Sequence, residues 1–213
     1  MKERKEWMYV SEMHNFLEAW NDLKKHLRKV EAEFKKEEFQ QNIERIIELF
    51  KKAKSREMRV FLLGAGRDGD ILKMFGTRLV QINFPRGQVK VVTEEGPFDL
   101  LMGSHSLAIC LSGRGFTSPT TDIAKVLKDQ GAELILITSN KKCELVKQKI
   151  PDVTLFIEGL TRFEFKLSRH AYGPDQTIRF GKKHPPPTLF EIAALCILEC
   201  IISSLYFAQS TNK

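Results

Sequence analysis

Apolar residues recur at three- and four-residue intervals from about Tyr9 to Lys54. They fall at Phe16, Trp20, Leu23, Leu27, Val30 and Phe34, and again at Ile43, Ile46, Ile47 and Phe50. Glu and Lys fill the positions between, and the segment holds no glycine or proline. This spacing predicts one long helix and then a second, together an arm over residues 1–56 whose apolar stripe packs on the rest of the chain or on a partner subunit.

After the arm the period shortens. Met58–Leu63 is a short aliphatic run ending in Gly64-Ala65-Gly66-Arg67-Asp68-Gly69, a strand feeding a glycine turn. Helical spacing returns from Ile71 to Phe84. Four further runs read as strands: Gln88–Val92, Ser106–Leu111, Glu133–Thr138 and Val153–Ile157. Between them, Pro119 opens a helix reaching Lys128, a favoured first-turn position for proline, and a shorter helix covers Lys141–Lys149. Strands alternating with helices imply right-handed crossovers and a mostly parallel sheet covered on both faces. The expectation is an α/β, doubly wound, five-stranded sheet in flavodoxin-like order. The charged, irregular stretch from Gly159 to Lys183 reads as a loop or lid.

The last apolar segment, Leu189–Ala208, has the length of a membrane span of ~20 residues. It also carries Glu191 and Glu199. Two carboxylates in hydrocarbon are costly, so the segment reads as a helix buried in the core or at a subunit interface, with no membrane partner.

Composition changes this picture little. Of 213 residues, 42% are hydrophobic and 29% charged, enough apolar material for one packed core and too short a chain for two full α/β domains. The formal charge of +7 is spread along the chain and largely interleaved with Glu, a pattern of solvated helix faces rather than of a nucleic-acid surface. A modest positive field also suits small phosphorylated anions. Cys110, Cys143, Cys196 and Cys200 form no zinc-ligand spacing and no CxxC, and the first ten residues contain no apolar run of signal-peptide length. Reduced thiols, no metal, no cofactor and a cytoplasmic location are expected.

The candidate chemistry sits in two glycine loops. Gly64–Gly69 satisfies GxGxxG between a strand and a helix, where a dinucleotide's pyrophosphate would meet the helix N-terminus. The acid that nicotinamide binding would need, ~20 residues on, could only be Glu94 or Glu95, and both lie late. The second loop, Ser112-Gly113-Arg114-Gly115-Phe116-Thr117-Ser118, follows another strand and runs into another helix. In a parallel sheet both loops open on the carboxyl edge. The crevice there gains backbone N–H groups, a helix dipole and the hydroxyls of Ser112, Thr117 and Ser118, the groups a phosphate monoester needs. One such loop would be explained by tight turns and helix capping; the pair points to anion binding. No GK[ST] follows either glycine run, so a nucleotide-hydrolysing P-loop is excluded. Near the other end, His184-Pro185-Pro186-Pro187-Thr188-Leu189-Phe190-Glu191 delivers a carboxylate onto the first turn of the apolar helix. Glu191 reads either as a poised general base or as the partner of Thr188 in a capping box.

With GAGRDG at Gly64–Gly69, Phe75, Arg78 and Leu79 in the next helix, SGRGFTS at Ser112–Ser118 and PPTLFE at Pro186–Glu191, the chain resembles a sugar isomerase (SIS) domain. Within that group it looks most like the 6-phospho-3-hexuloisomerases. The resemblance spans about Met58–Phe207 and makes residues 57–213 a phosphosugar-binding domain. It implies homodimers or homotetramers with sites at subunit interfaces and metal-free isomerisation through a cis-enediol. It also implies phosphate held by Ser112 and Thr117 with Ser118 assisting, Gly66, Arg67, Gly113 and Gly115 lining the site, and Glu191 as base. His184, or a partner's His170, would open the sugar ring. The chain departs from the pattern where relatives carry serine after GAGR and SGSGET, having Asp68, Arg114 and Phe116 instead. These departures keep a second function open, a non-catalytic module that senses a sugar phosphate or sugar nucleotide.

Overall fold

Five short runs rich in aliphatic residues pair side by side, and the three central ones are buried along nearly their whole length, as suits strands covered above and below. They are β1 (Arg59–Leu63), β2 (Val89–Val92), β3 (Ser106–Leu111), β4 (Glu133–Thr138) and β5 (Val153–Phe156). All neighbours are parallel, in the order β2-β1-β3-β4-β5. This is the expected flavodoxin-like order. β3 and β4 have the predicted bounds, and the others differ by one residue at an end. The protein is described here by a computed structural model covering residues 2–92, 105–158 and 188–210, with backbone alone for residues 2–12, 15, 18, 188, 209 and 210.

Side chains alternate across the sheet and build two cores. Val60 and Leu62 of β1, Leu107 and Ile109 of β3 and Ile135 of β4 face α2 (Glu37–Ser55), α3 (Arg67–Gln81) and α6 (Thr188–Ser210). Phe61, Leu63, Ala108, Cys110 and Leu134 face α4 (Ser118–Asp129) and α5 (Glu144–Lys147). On the first face Phe50 stands edge-on to Phe75 and Phe84, with ring centroids 5.6 and 6.1 Å apart. Each buried ring of this kind contributes roughly 1.5–3 kcal/mol over its exposed state.

Of the predicted arm, α2 packs fully into the core through Ile46, Leu49, Phe50 and Ala53. α1 (Lys2–Glu33) joins it at Val30 and at His26, while Phe16 and Trp20 earlier on the same stripe stay half-exposed or more. α6 is long and apolar enough to cross a membrane, with a mean hydropathy of 1.9 over Leu189–Ala208. It packs instead against α2, α3 and the sheet, burying Phe190, Ala193, Ala194, Ile197 and Ile201. Glu199 on its outer side pairs with Arg78 of α3 at 3.1 Å.

Beyond the arm, α3 and α5 depart furthest from their expected bounds. α3 begins at Arg67 rather than Ile71, because Gly66 at φ 56° already turns the chain out of the strand and puts Asp68 and Gly69 into the first helical turn. It stops at Gln81, ahead of Asn83 at φ 69°. The helix expected over Lys141–Lys149 contracts to four residues. At one end the Asn140 side chain accepts the Lys142 N–H at 2.9 Å, which holds a turn there, and at the other Lys149 lies at φ 53°. The stretch 159–183, read as a loop or lid, lies outside the described residues.

Gly113 and Gly115 lie where β3 hands the chain to α4, and both are closely covered. A Cβ on Gly113 would lie 2.9 Å from the ring of Phe190; on Gly115, at φ 67°, it would lie 2.5 Å from Cys143 Cβ. Gly115→Ala combines left-handed strain with overpacking and should lose roughly 2–5 kcal/mol. Gly113→Ala meets only a ring edge and should lose about 1–3 kcal/mol. Urea denaturation of both variants checks the order, and equal stability to the parent in Gly115→Ala would contradict the packing described.

Candidate functional site

β1 and β3 are adjacent, yet the helices that follow them lie on opposite faces of the sheet, α3 on one and α4 on the other. Between such strands the connections diverge and leave a crevice at the carboxyl edge. Both glycine loops end there, and α6 enters from the side.

The first loop is only Gly64-Ala65-Gly66. A Cβ on Gly64 would lie 2.8 Å from the Gly69 backbone nitrogen, and one on Gly69 would lie 2.7 Å from the Gly64 carbonyl oxygen. The first turn of α3 is thus pressed against the end of β1. The second loop is braced from inside. The Ser112 N–H donates to Ile137 O at 3.0 Å, and the Gly115 N–H reaches both Ser112 O and Ser112 Oγ at 3.1 Å. The Gly113 carbonyl accepts from Ser139 Oγ at 2.8 Å and from Thr138 Oγ1 at 3.3 Å, while the Arg114 carbonyl accepts from Asn140 Nδ2 at 2.8 Å. Thr138, Ser139 and Asn140 belong to no motif of the two glycine loops. A polar trio closing the apolar run of β4 is the signal that marks them.

The three hydroxyls named from sequence therefore differ in standing. Ser112 is buried and shapes its own loop. Ser118 donates to Asp122 Oδ2 at 2.6 Å on the surface of α4. Thr117, the N-cap residue of α4, makes no side-chain cap bond and stands at the positive end of that helix.

Glu191 lies in the first turn of α6, 8% exposed, and its Oε2 is 3.0 Å from Arg67 Nε. The ion pair ties the start of α6 to the start of α3. Next along, the Gly113 N–H donates to Asp68 Oδ2 at 3.4 Å, a long bond joining the two glycine loops. Asp68 Oδ1 is buried with no hydrogen-bond partner among the described residues. Burial, and after it the nearby charge of Glu191, pushes the Asp68 carboxyl up to about 7, against the opposing pull of the Gly113 N–H, Arg67 and Arg114. Below the crevice Cys110 is buried, and desolvation holds its thiol well above the usual range. His26 of α1, unremarked in the sequence, is buried against α6 and hydrogen-bonds the Leu189 backbone; burial lowers it despite Glu158 nearby. The structure thus brings together Gly66, Arg67, Asp68, Ser112, Gly113, Arg114, Gly115, Thr117 and Glu191 around one crevice, with Ser118 turned toward Asp122. His184, His170, Glu94 and Glu95 lie outside the described residues, as does the side chain of Thr188 that the capping box would need.

No family model matches the chain. A 3-hexulose-6-phosphate isomerase of Methylomonas aminofaciens is 29% identical over 149 residues, covering 69% of this chain and 70% of its own. A Methanococcus jannaschii protein, whose crystal structure infers a molecular function of 3-hexulose-6-phosphate isomerase, superposes with a TM-score of 0.66 at 22% identity, over 91% of this chain and 92% of its own. The sugar isomerase domain of an RpiR transcription factor from Sphaerobacter thermophilus superposes with a TM-score of 0.63 at 15% identity, over 92% and 91%. With its parallel five-stranded sheet, covered faces and N-terminal helices, this chain has the sugar isomerase (SIS) domain fold.

Proposed function

We propose that this protein binds a phosphorylated sugar between its two glycine loops and isomerises a hexulose 6-phosphate through a cis-enediol, with Glu191 as the base. The observation that carries the reading is a carboxylate almost fully removed from water, held by Arg67 at the switch point of a parallel sheet. Likeness to the Methylomonas isomerase supports the substrate class. Phosphate would lie at the N-terminus of α4, on backbone N–H groups and the Thr117 hydroxyl, with Ser112 and the two glycines setting the loop's shape and Arg114 adding charge. Ser118 joins by turning from Asp122, at the cost of one exposed hydrogen bond. Arg67 orients Glu191 and the sugar hydroxyls, and His184 is assigned to ring opening. The same reading takes residues 1–56 as a helical arm and 57–213 as the phosphosugar-binding domain of a cytoplasmic homodimer or homotetramer. The exposed Phe16 and Trp20 of α1 support such an assembly.

A second reading has its own observation. Phe116, at the tip of the phosphate loop, is 45% exposed, and the fold is shared with a transcription factor domain. A sensing module would bind the sugar and leave its C–H bonds alone.

Two measurements test these readings, and a third tests the burial of Asp68. Fructose 6-phosphate at about a hundredfold excess over its dissociation constant should stabilise the fold by about 2.7 kcal/mol, raising the melting temperature by roughly 5–10 °C. A screen of phosphosugars that gives no shift would remove both readings. Solvent deuterium should enter the bound sugar at its carbon-bound position, and Glu191→Gln should slow that entry about 10²- to 10⁴-fold with binding retained. Binding without entry in the parent protein favours the sensor, and unchanged entry in the variant removes Glu191 as base. Finally, Asp68 holds its proton in the folded state up to about pH 7 but releases it near 4 when unfolded. Its contribution is present at low pH and lost as pH rises through that window, so Asp68→Asn should flatten the decline in stability between about pH 4 and 7.

A further inference from the structure

Removing a proton from carbon next to a carbonyl is half of an enediol mechanism. The carbonyl oxygen must gain a proton, and the neighbouring hydroxyl must lose one. Arg67 lies in the crevice, but a guanidinium does not release its proton at any ordinary pH. Ser112 is buried and bonded within its loop. Cys110, with its thiol held far up, packs into the core on the α4 face of the sheet.

Asp68 remains. It stands one residue after Arg67 on α3, across the crevice from Glu191 on α6. One oxygen is held by the Gly113 N–H at 3.4 Å, and the other is buried without a partner among the described residues. An unpartnered buried carboxyl oxygen costs stability unless something else uses it. We propose, on the basis of the isomerase reading above, that Asp68 is the second proton-transferring group of the site and serves the two oxygens of the enediol while Glu191 serves the two carbons.

The protons balance. The Glu191 carboxylate takes the proton from the carbon beside the carbonyl, and the C–H electron pair becomes the C=C bond. The carbonyl π pair moves to oxygen and takes the proton of the Asp68 carboxyl, which leaves a cis-enediol and an Asp68 carboxylate. That carboxylate then removes the proton from the other enediol hydroxyl, whose oxygen becomes the new carbonyl. Glu191 returns its proton to the former carbonyl carbon. Both carboxyls end as they began.

The cycle starts only with Asp68 protonated. Among the described residues the groups facing it are Glu191 from α6, Arg67 from α3, Arg114 from the second loop and the neutral thiol of Cys110 from β3; burial first, and then the charge of Glu191, raise it to about 7 against the pull of Arg67 and Arg114. Turnover should therefore fall as pH rises past that point.

The test is steady-state isomerisation of 3-hexulose 6-phosphate to fructose 6-phosphate between pH 5.5 and 9, with the full chain and with Asp68→Asn and Asp68→Ser. Expected are a decline of kcat above about pH 7 in the parent and a loss of 10²- to 10⁴-fold in kcat in both variants. KM should stay within about threefold, the thermal shift with fructose 6-phosphate should be retained, and the alkaline decline should be gone. A variant kcat within about threefold of the parent, a raised KM with kcat unchanged, or an alkaline decline that persists in Asp68→Asn overturns the role of Asp68 and leaves the isomerase reading standing. The parent's own profile decides should the variants fail to fold, since the absence of any decline above pH 7 also overturns it. A parent chain that binds these sugars and turns none over overturns both.

Discussion

A carboxylate that is 8% exposed cannot be left without a counter-charge, and the site is organised around the answer to that constraint. Glu191 reaches Arg67 at 3.0 Å, so the first turns of α6 and α3 are fixed to each other. α3 is in turn set by the contact of Gly64 with Gly69, and α6 by Phe190 under Gly113. From one ion pair, both glycine loops acquire defined positions at the end of the sheet. Removing Arg67 would take a counter-charge from Glu191 in a low-dielectric place, which is why the guanidinium and the carboxylate belong to a single unit.

The departures from the family pattern gain a physical meaning from this arrangement. A carboxylate at position 68 would repel a phosphate if it were ionised and free. Instead it is bonded to the second loop, and burial keeps about half of it neutral at pH 7. Arg114 brings positive charge to the same corner. Asp68 and Arg114 therefore act together, burial lowering the negative charge at one and the guanidinium of the other offsetting part of what is left.

Much of the fold was legible because its signals are local. The apolar runs of β1 to β5 and the helical spacing of α2 and α6 identify their elements without reference to the rest of the chain, and their alternation makes the sheet parallel. The start of α3 was not legible, since Arg67, Asp68 and Gly69 carry no periodic signal and only the positive φ of Gly66 decides where the helix begins. Within the site, the types of residue were readable and their states were not. Ser112 looked like a ligand-facing hydroxyl, and its burial follows from Gly115 N–H and Ile137 O, partners three and twenty-five positions away. His26 was invisible for the same reason: its neighbour Leu189 lies at the far end of the chain.

α6 has 23 residues, and at about 1.5 Å per residue it is a rod of roughly 35 Å. Its base carries Glu191 and Phe190 in the crevice, while Tyr206 and Phe207 stand largely uncovered near its tip. A rod of that length acts as a lever. A tilt of about 3° at the base moves the tip by roughly 2 Å, as follows from the helical rise alone. A displacement at the seat of Phe190 would thereby reach the outer surface of the molecule, far from the crevice.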